Sequence, residues 1–166
     1  FRIGAYDPVY GSGGYREYGS SQGDHGMHPG EAGWILARNW LDITVNGVPM
    51  STSLDIDVEL PFNSGSSNGW NQIGSPNNAD YYWGNVEMVQ YDIDGSILNG
   101  PTPISNLSDP NSFIDKKLWR WSNGAYFSDT IWIRKYEGYW VKVKASNVFL
   151  RFPVSAQAKL SNPGTM

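Results

Sequence analysis

Glu31-Ala32-Gly33-Trp34-Ile35-Leu36 and Glu137-Gly138-Tyr139-Trp140-Val141-Lys142 set out one short signature twice, about a hundred residues apart. Each copy follows a Tyr-bearing, turn-rich segment, so the pair predicts two related β lobes rather than one irregular domain. Working outward, Phe1-Arg2-Ile3, Tyr15-Arg16-Glu17 and Gly33-Trp34 align with Trp119-Arg120-Trp121, Tyr126 and Tyr139-Trp140. The second copy has its own opening strand, Gly69-Trp70-Asn71-Gln72-Ile73-Gly74, for which the first has no counterpart. The chain is therefore expected to begin inside its first lobe. A first residue that is not Met fits a processed or excised segment.

The patterning between the copies is that of strands. Leu54, Ile56, Val58 and Leu60 alternate with Asp55, Asp57 and Glu59, which is the period of a half-buried strand. Leu41 to Val45 alternates and stops at Asn46-Gly47, a hairpin dipeptide. Further strands are expected at Trp70–Gly74, Val86–Tyr91, Ile97-Leu98, Trp119–Trp121, Ile131–Ile133, Tyr139–Val143 and Val148–Phe152, with a short helical turn near Asp109–Lys117. Nineteen Gly and ten Pro scattered along 166 residues argue against long helices. The expectation is an all-β fold of two pseudo-repeated small antiparallel lobes, sandwich or barrel-like. The first lobe is residues 1–62 and the second 63–153, with 154–166 an extended tail. The Gly/Ser/Asn stretch 63–68 forms the boundary.

A net charge of −4 provides no basic field for nucleic acid, and no apolar run reaches the roughly 20 residues that a membrane-spanning helix needs. The absence of Cys removes disulfide and thiol chemistry. Aromatics are 14% of the chain against 17% charged, so the rings are the residues to follow.

At Gly69–Pro76, followed by Asn77 and Trp83, and at Gly138–Val141, the chain resembles a β-module of secreted and cell-surface bacterial proteins. Lobes of that module run from a Gly-Trp-Asn-x-Ile-Gly-x-Pro opening, through a Trp/Tyr-rich middle, to a Gly-Tyr-Trp-Val closing strand. Pro29-Gly30-Glu31-Ala32-Gly33-Trp34-Ile35 looks like the closing element of the first lobe. The resemblance covers about residues 1–153 and implies an extracellular, non-catalytic role.

Chemistry-bearing clusters have plainer explanations. His25 and His28 with Glu31 resemble part of a metal set, but no later His completes it, and a polar loop explains them. Asp92, Asp94 and Ser96 around Gly95 fit an Asp-Gly hairpin better than a calcium loop. Asp55, Asp57 and Glu59 lie in a row on one strand face, unlike glycosidase carboxylates, and read as a solvated face or as partners for Lys142 and Lys144. No metal, cofactor or catalytic set is expected.

Trp34, Trp70 and Trp140 are expected in the core. Tyr81, Tyr82 and Trp83, together with Trp40 and Trp132, are the candidate contact residues, because Trp and Tyr present flat faces to sugars or protein partners. In the tail, Val154, Ala156, Ala158 and Leu160 alternate with polar residues, as in a strand with one dry face. Such a strand could add to the sheet of another copy and build a filament. Two functions follow. The first, and the one favoured by the open first lobe, is a structural or assembly module at the cell surface, with other copies of itself or another surface protein as partner. The other is a carbohydrate-binding module of a secreted enzyme, with polysaccharide as partner.

Overall fold

The computed structural model describes residues 2–9, 14–17, 28–39, 42, 44, 48, 50–64 and 69–158. Trp40, His25, the Asn46-Gly47 turn and Leu160 lie outside the described residues.

The chain is all-β. Its strands are β1 (Arg2–Asp7), β2 (Gly14–Glu17), β3 (Trp34–Leu36), β4 (Ile56–Leu60), β5 (Trp70–Gly74), β6 (Tyr81–Tyr82) and β7 (Glu87–Tyr91). They continue as β8 (Ile97–Pro103), β9 (Arg120–Ser122), β10 (Ala125–Phe127), β11 (Trp132–Ile133), β12 (Gly138–Lys142) and β13 (Val148–Phe152). A four-stranded antiparallel sheet runs β4-β13-β7-β8, a three-stranded one β2-β1-β3, and β5-β12, β6-β11 and β9-β10 form ribbons. None of these sheets closes into a barrel.

The core lies between the four-stranded sheet and the β5-β12 and β6-β11 ribbons. Ile56, Val58 and Leu60 of β4 and Val148, Leu150 and Phe152 of β13 face Ile73, Tyr81, Ile133, Tyr139 and Val141. The period-two pattern of Leu54–Leu60 is thus realised from Ile56 onward, while Leu54 is exposed. Strand β4, placed in the first lobe by its position in sequence, pairs with β13 from Val148↔Leu60 to Phe152↔Ile56. Local pattern marks a strand but does not choose its partner.

The outer face of this sheet corrects one expectation. Asp57 takes a bidentate pair of hydrogen bonds from Arg151 (2.8 and 2.9 Å) and one from the Tyr91 hydroxyl. Its partner is the cross-strand neighbour in the β4–β13 register, not Lys142 or Lys144. Burial pushes the Asp57 carboxyl up, but the bonds from Arg151 and Tyr91 outweigh it and hold the pKa below its ordinary value. A depressed carboxylate pKa stabilises the fold above the ordinary value, near pH 4, and the contribution fades as pH falls through the folded value. Asp57→Asn should therefore flatten the acid side of the stability–pH curve and cost about 1–2 kcal/mol at pH 7, measured by urea unfolding.

Two further differences concern local elements. The short helical turn falls at Ile104–Asn106 as a single 3-10 turn rather than at Asp109–Lys117. Strand β8 runs on through Pro101 and Pro103, which an edge strand with register shifts against β7 accommodates.

The two copies of the signature share one turn geometry. The Glu31 amide donates to the His28 carbonyl (3.0 Å), and the Glu137 amide donates to the Arg134 carbonyl (3.3 Å). In both turns the third residue has positive φ, Gly30 at 85° and Tyr136 at 65°. Each turn delivers its Trp three residues later onto a closing strand: Trp34 opposite Gly4 of β1, and Trp140 opposite Trp119, with which it exchanges both backbone bonds (2.9 and 2.7 Å). In the next strand pair, Tyr6 faces Tyr15 and Trp121 faces Tyr126. The matching segment is therefore Gly4-Ala5-Tyr6 against Trp119-Arg120-Trp121, three residues along from Phe1-Arg2-Ile3. Burial differs between the copies, since Trp140 is buried and Trp34 only half-buried.

A candidate aromatic binding cleft

The Gly-Trp-Asn-x-Ile-Gly segment builds the floor of a cleft. Gly69 must lack a side chain because a Cβ there would sit 1.9 Å from the Val143 carbonyl oxygen. The buried Asn71 amide donates to the Gly69 (2.9 Å) and Pro61 (3.1 Å) carbonyls, tying the end of β4 to β5. Ile73 enters the core. By alternation, Trp70 and Gln72 point to the opposite face of the ribbon. In the β5–β12 register Trp70 lies opposite Lys142, and Gln72 opposite Trp140. One face of this ribbon therefore packs the core through Tyr139 and Val141, and the other presents Trp70, Lys142, Gln72 and Trp140.

The walls come from three other segments. Trp119 bridges to Trp140 through its backbone, and its ring meets Trp70 edge-on at 6.3 Å. Tyr126 reaches over Trp140 at 6.4 Å from β10. The hairpin Ser122-Asn123-Gly124-Ala125 fixes that placement, because positive φ at both Asn123 (50°) and Gly124 (82°) turns β9 straight into β10. From β1, Tyr6 packs on Trp140 at 5.1 Å, and its amide donates to the Gln72 side-chain oxygen (2.8 Å). Tyr6, Trp70, Trp119, Tyr126 and Trp140 enclose a cleft of about 340 Å³. The rings continue outward through Tyr126–Trp121 (4.6 Å) and Trp121–Trp34 (6.4 Å). Every ring pair in this set is edge-to-face, the geometry favoured by ring quadrupoles.

The residues singled out from sequence fall elsewhere. Tyr81 is fully buried against Phe152 (5.0 Å), and its hydroxyl accepts from the Asn77 side chain (2.9 Å). Trp83 is buried and its indole donates to the Lys116 carbonyl (2.7 Å). Neither belongs to a contact surface, because each ring fills the core and has its polar atom satisfied there. Tyr82, which is exposed, and Trp132, which is half-buried, form an edge-to-face pair (5.4 Å) across β6 and β11, apart from the cleft.

The described part of the tail also departs from expectation. Val154–Ala156 is a 3-10 turn, with the Val154 amide on Asp55 (2.9 Å) and Ala156 buried. Gln157 donates to the Thr52 carbonyl (2.8 Å), and the Ala158 amide donates to the Asp80 carbonyl (2.7 Å). Val154 and Ala156 do not share a dry strand face, because one turn of helix replaces the alternation.

The acidic and histidine clusters hold local structure. His28 lies 3.2 Å from Glu31 across the first turn, and Asp92 and Asp94 bond the backbone of their own hairpin. Among the described residues, no group of three or more His, Cys, Asp or Glu is placed to hold a metal ion. No helix among them is long and apolar enough to cross a membrane.

No family model matches this chain, and neither a curated protein nor a solved structure is significantly similar to it.

Proposed function

We propose that this chain is a non-catalytic binding module that holds a sugar ring of an extracellular or cell-surface polysaccharide in the aromatic cleft. The observation that carries this reading is the lining itself, five aromatic side chains and no carboxylate. Aromatic faces grip the C–H faces of a pyranose with little side-chain entropy to lose, whereas acid–base cleavage of a glycoside needs two carboxyl groups across the bond. The extracellular setting is supported by the resemblance of Gly69–Pro76 and Gly138–Val141 to secreted bacterial modules. Assembly through the tail has less support, because Asp55, Thr52 and Asp80 of the same chain already engage residues 154–158.

Titration calorimetry against a panel of soluble glycans tests the reading with Tyr126→Ala. This ring is 49% exposed, so its removal spares the core. Loss of a ring stacked on a bound sugar should weaken binding about 5- to 150-fold, as for stacking losses of about 1–3 kcal/mol. A glycan bound equally well by Tyr126→Ala, or no binding anywhere on the panel, contradicts it.

A further inference from the structure

Resting on that reading, we propose that the cleft selects an acidic sugar, a hexuronate unit whose carboxylate meets the Lys142 ammonium while its ring lies against Trp70 and Trp119. Lys142 shares the outward face of β12 with Trp140 and stands opposite Trp70 in the β5 register. Its Nζ lies 5.7 Å from the Trp70 ring centroid. The cation therefore stands over a ring that lines the cleft.

Among the described residues, Lys142 also has no acidic partner. The ion pairs among the described residues engage Arg2, Arg16, His28, Arg120, Arg134 and Arg151, and none involves Lys142. Neighbouring lysines are spent differently, Lys116 on the Leu107 carbonyl (2.7 Å) and Lys144 on the Asn111 carbonyl (3.0 Å). Lys142 therefore brings a positive charge without a carboxylate partner next to an uncharged aromatic lining. Its complement is an anion attached to a flat apolar ring. A carboxylate on C5 of a pyranose meets both demands: the ring supplies C–H groups to the aromatic walls, and the carboxylate accepts from Nζ. A ring that excludes water from this wall strengthens the charge interaction. A neutral hexose would satisfy the rings and leave the ammonium with water alone.

The test compares an oligomer of 1,4-linked galacturonate with its carboxyl-reduced neutral counterpart by calorimetry, at low and at high salt. The uronate is expected to bind about tenfold tighter at low ionic strength, as for a charge-assisted contact. The ratio should shrink at 1 M salt, where the screening length is about 3 Å. Lys142→Gln should bring the ratio of the two affinities close to one, and Lys142→Arg should keep it above one. Circular dichroism on each variant confirms the fold. Equal affinities for the two oligomers, or a preference that survives Lys142→Gln, overturns the acidic-sugar inference and leaves the sugar reading standing. Absence of binding by both oligomers and by the wider glycan panel ends both.

Discussion

Trp140→Ala is expected to destabilise the fold by about 3–5 kcal/mol, the cost of removing a large buried aromatic. Trp140 is 8% exposed and sits where several segments meet: Tyr6 of β1 packs on it at 5.1 Å, Tyr126 meets it at 6.4 Å, and Trp119 shares both of its backbone bonds. Its loss therefore opens the contact between the three-stranded sheet and the β5-β12 ribbon as well as a cavity. Trp34, its repeat partner, is half-buried and meets Trp121 at 6.4 Å, so Trp34→Ala should cost about half as much, in proportion to the apolar area it hides. Guanidinium unfolding of the two variants reads the difference. Equal costs would mean that the copies are energetically alike despite their unequal burial.

The second large effect is at the matched turns. Gly30→Ala should cost about 2–4 kcal/mol, because two penalties coincide there. Residue 30 holds φ at 85°, and a Cβ would sit 2.3 Å from a Val58 methyl in the core sheet. In the second copy of the turn the same position is Tyr136, which keeps φ at 65° while 88% exposed. Tyr136→Gly should leave stability unchanged or raise it by up to about 1 kcal/mol, as relief of left-handed strain offsets the entropy of glycine. Thermal unfolding of both variants checks the asymmetry, and a Gly30→Ala protein as stable as wild type would refute the close packing of the first turn on Val58.

Much of this architecture was legible in the chain. The repeated Glu-x-x-Trp signature is carried by one turn geometry in both copies, since Glu at the fourth position closes a bond to the residue three before it. The alternation around Val58 and Val148 marked the core strands, because period two follows from the pleat alone. What stayed hidden is pairing across long sequence distance. Nothing local in Ile56–Leu60 says that Val148–Phe152 lies beside it. The same gap misplaced the site. Tyr81-Tyr82-Trp83 looked like a surface cluster because rings adjacent in sequence draw the eye, yet alternation sends Tyr81 inward and a 3-10 turn buries Trp83. The cleft assembles rings separated by up to 134 positions, Tyr6 to Trp140, and only the folded registers bring them together. One available signal was missed: Asn123-Gly124 between Trp121 and Tyr126 is a two-residue hairpin turn that by itself sets those rings across from each other. The tail misled for the converse reason. Four alternating residues suffice to suggest a strand, but Pro153 precedes a 3-10 turn that hydrogen bonds to Asp55 and Asp80 hold in place.

The most direct measurement of the central claim is an NMR titration that follows the side-chain indole N–H signals of the eight tryptophans as a bound glycan is added. The aromatic cleft predicts that Trp70, Trp119 and Trp140 shift together with one dissociation constant, while Trp83, bonded to the Lys116 carbonyl inside the core, stays in place. Shifts confined to Trp132, beside Tyr82 on the other ribbon, would place the ligand elsewhere and contradict the account.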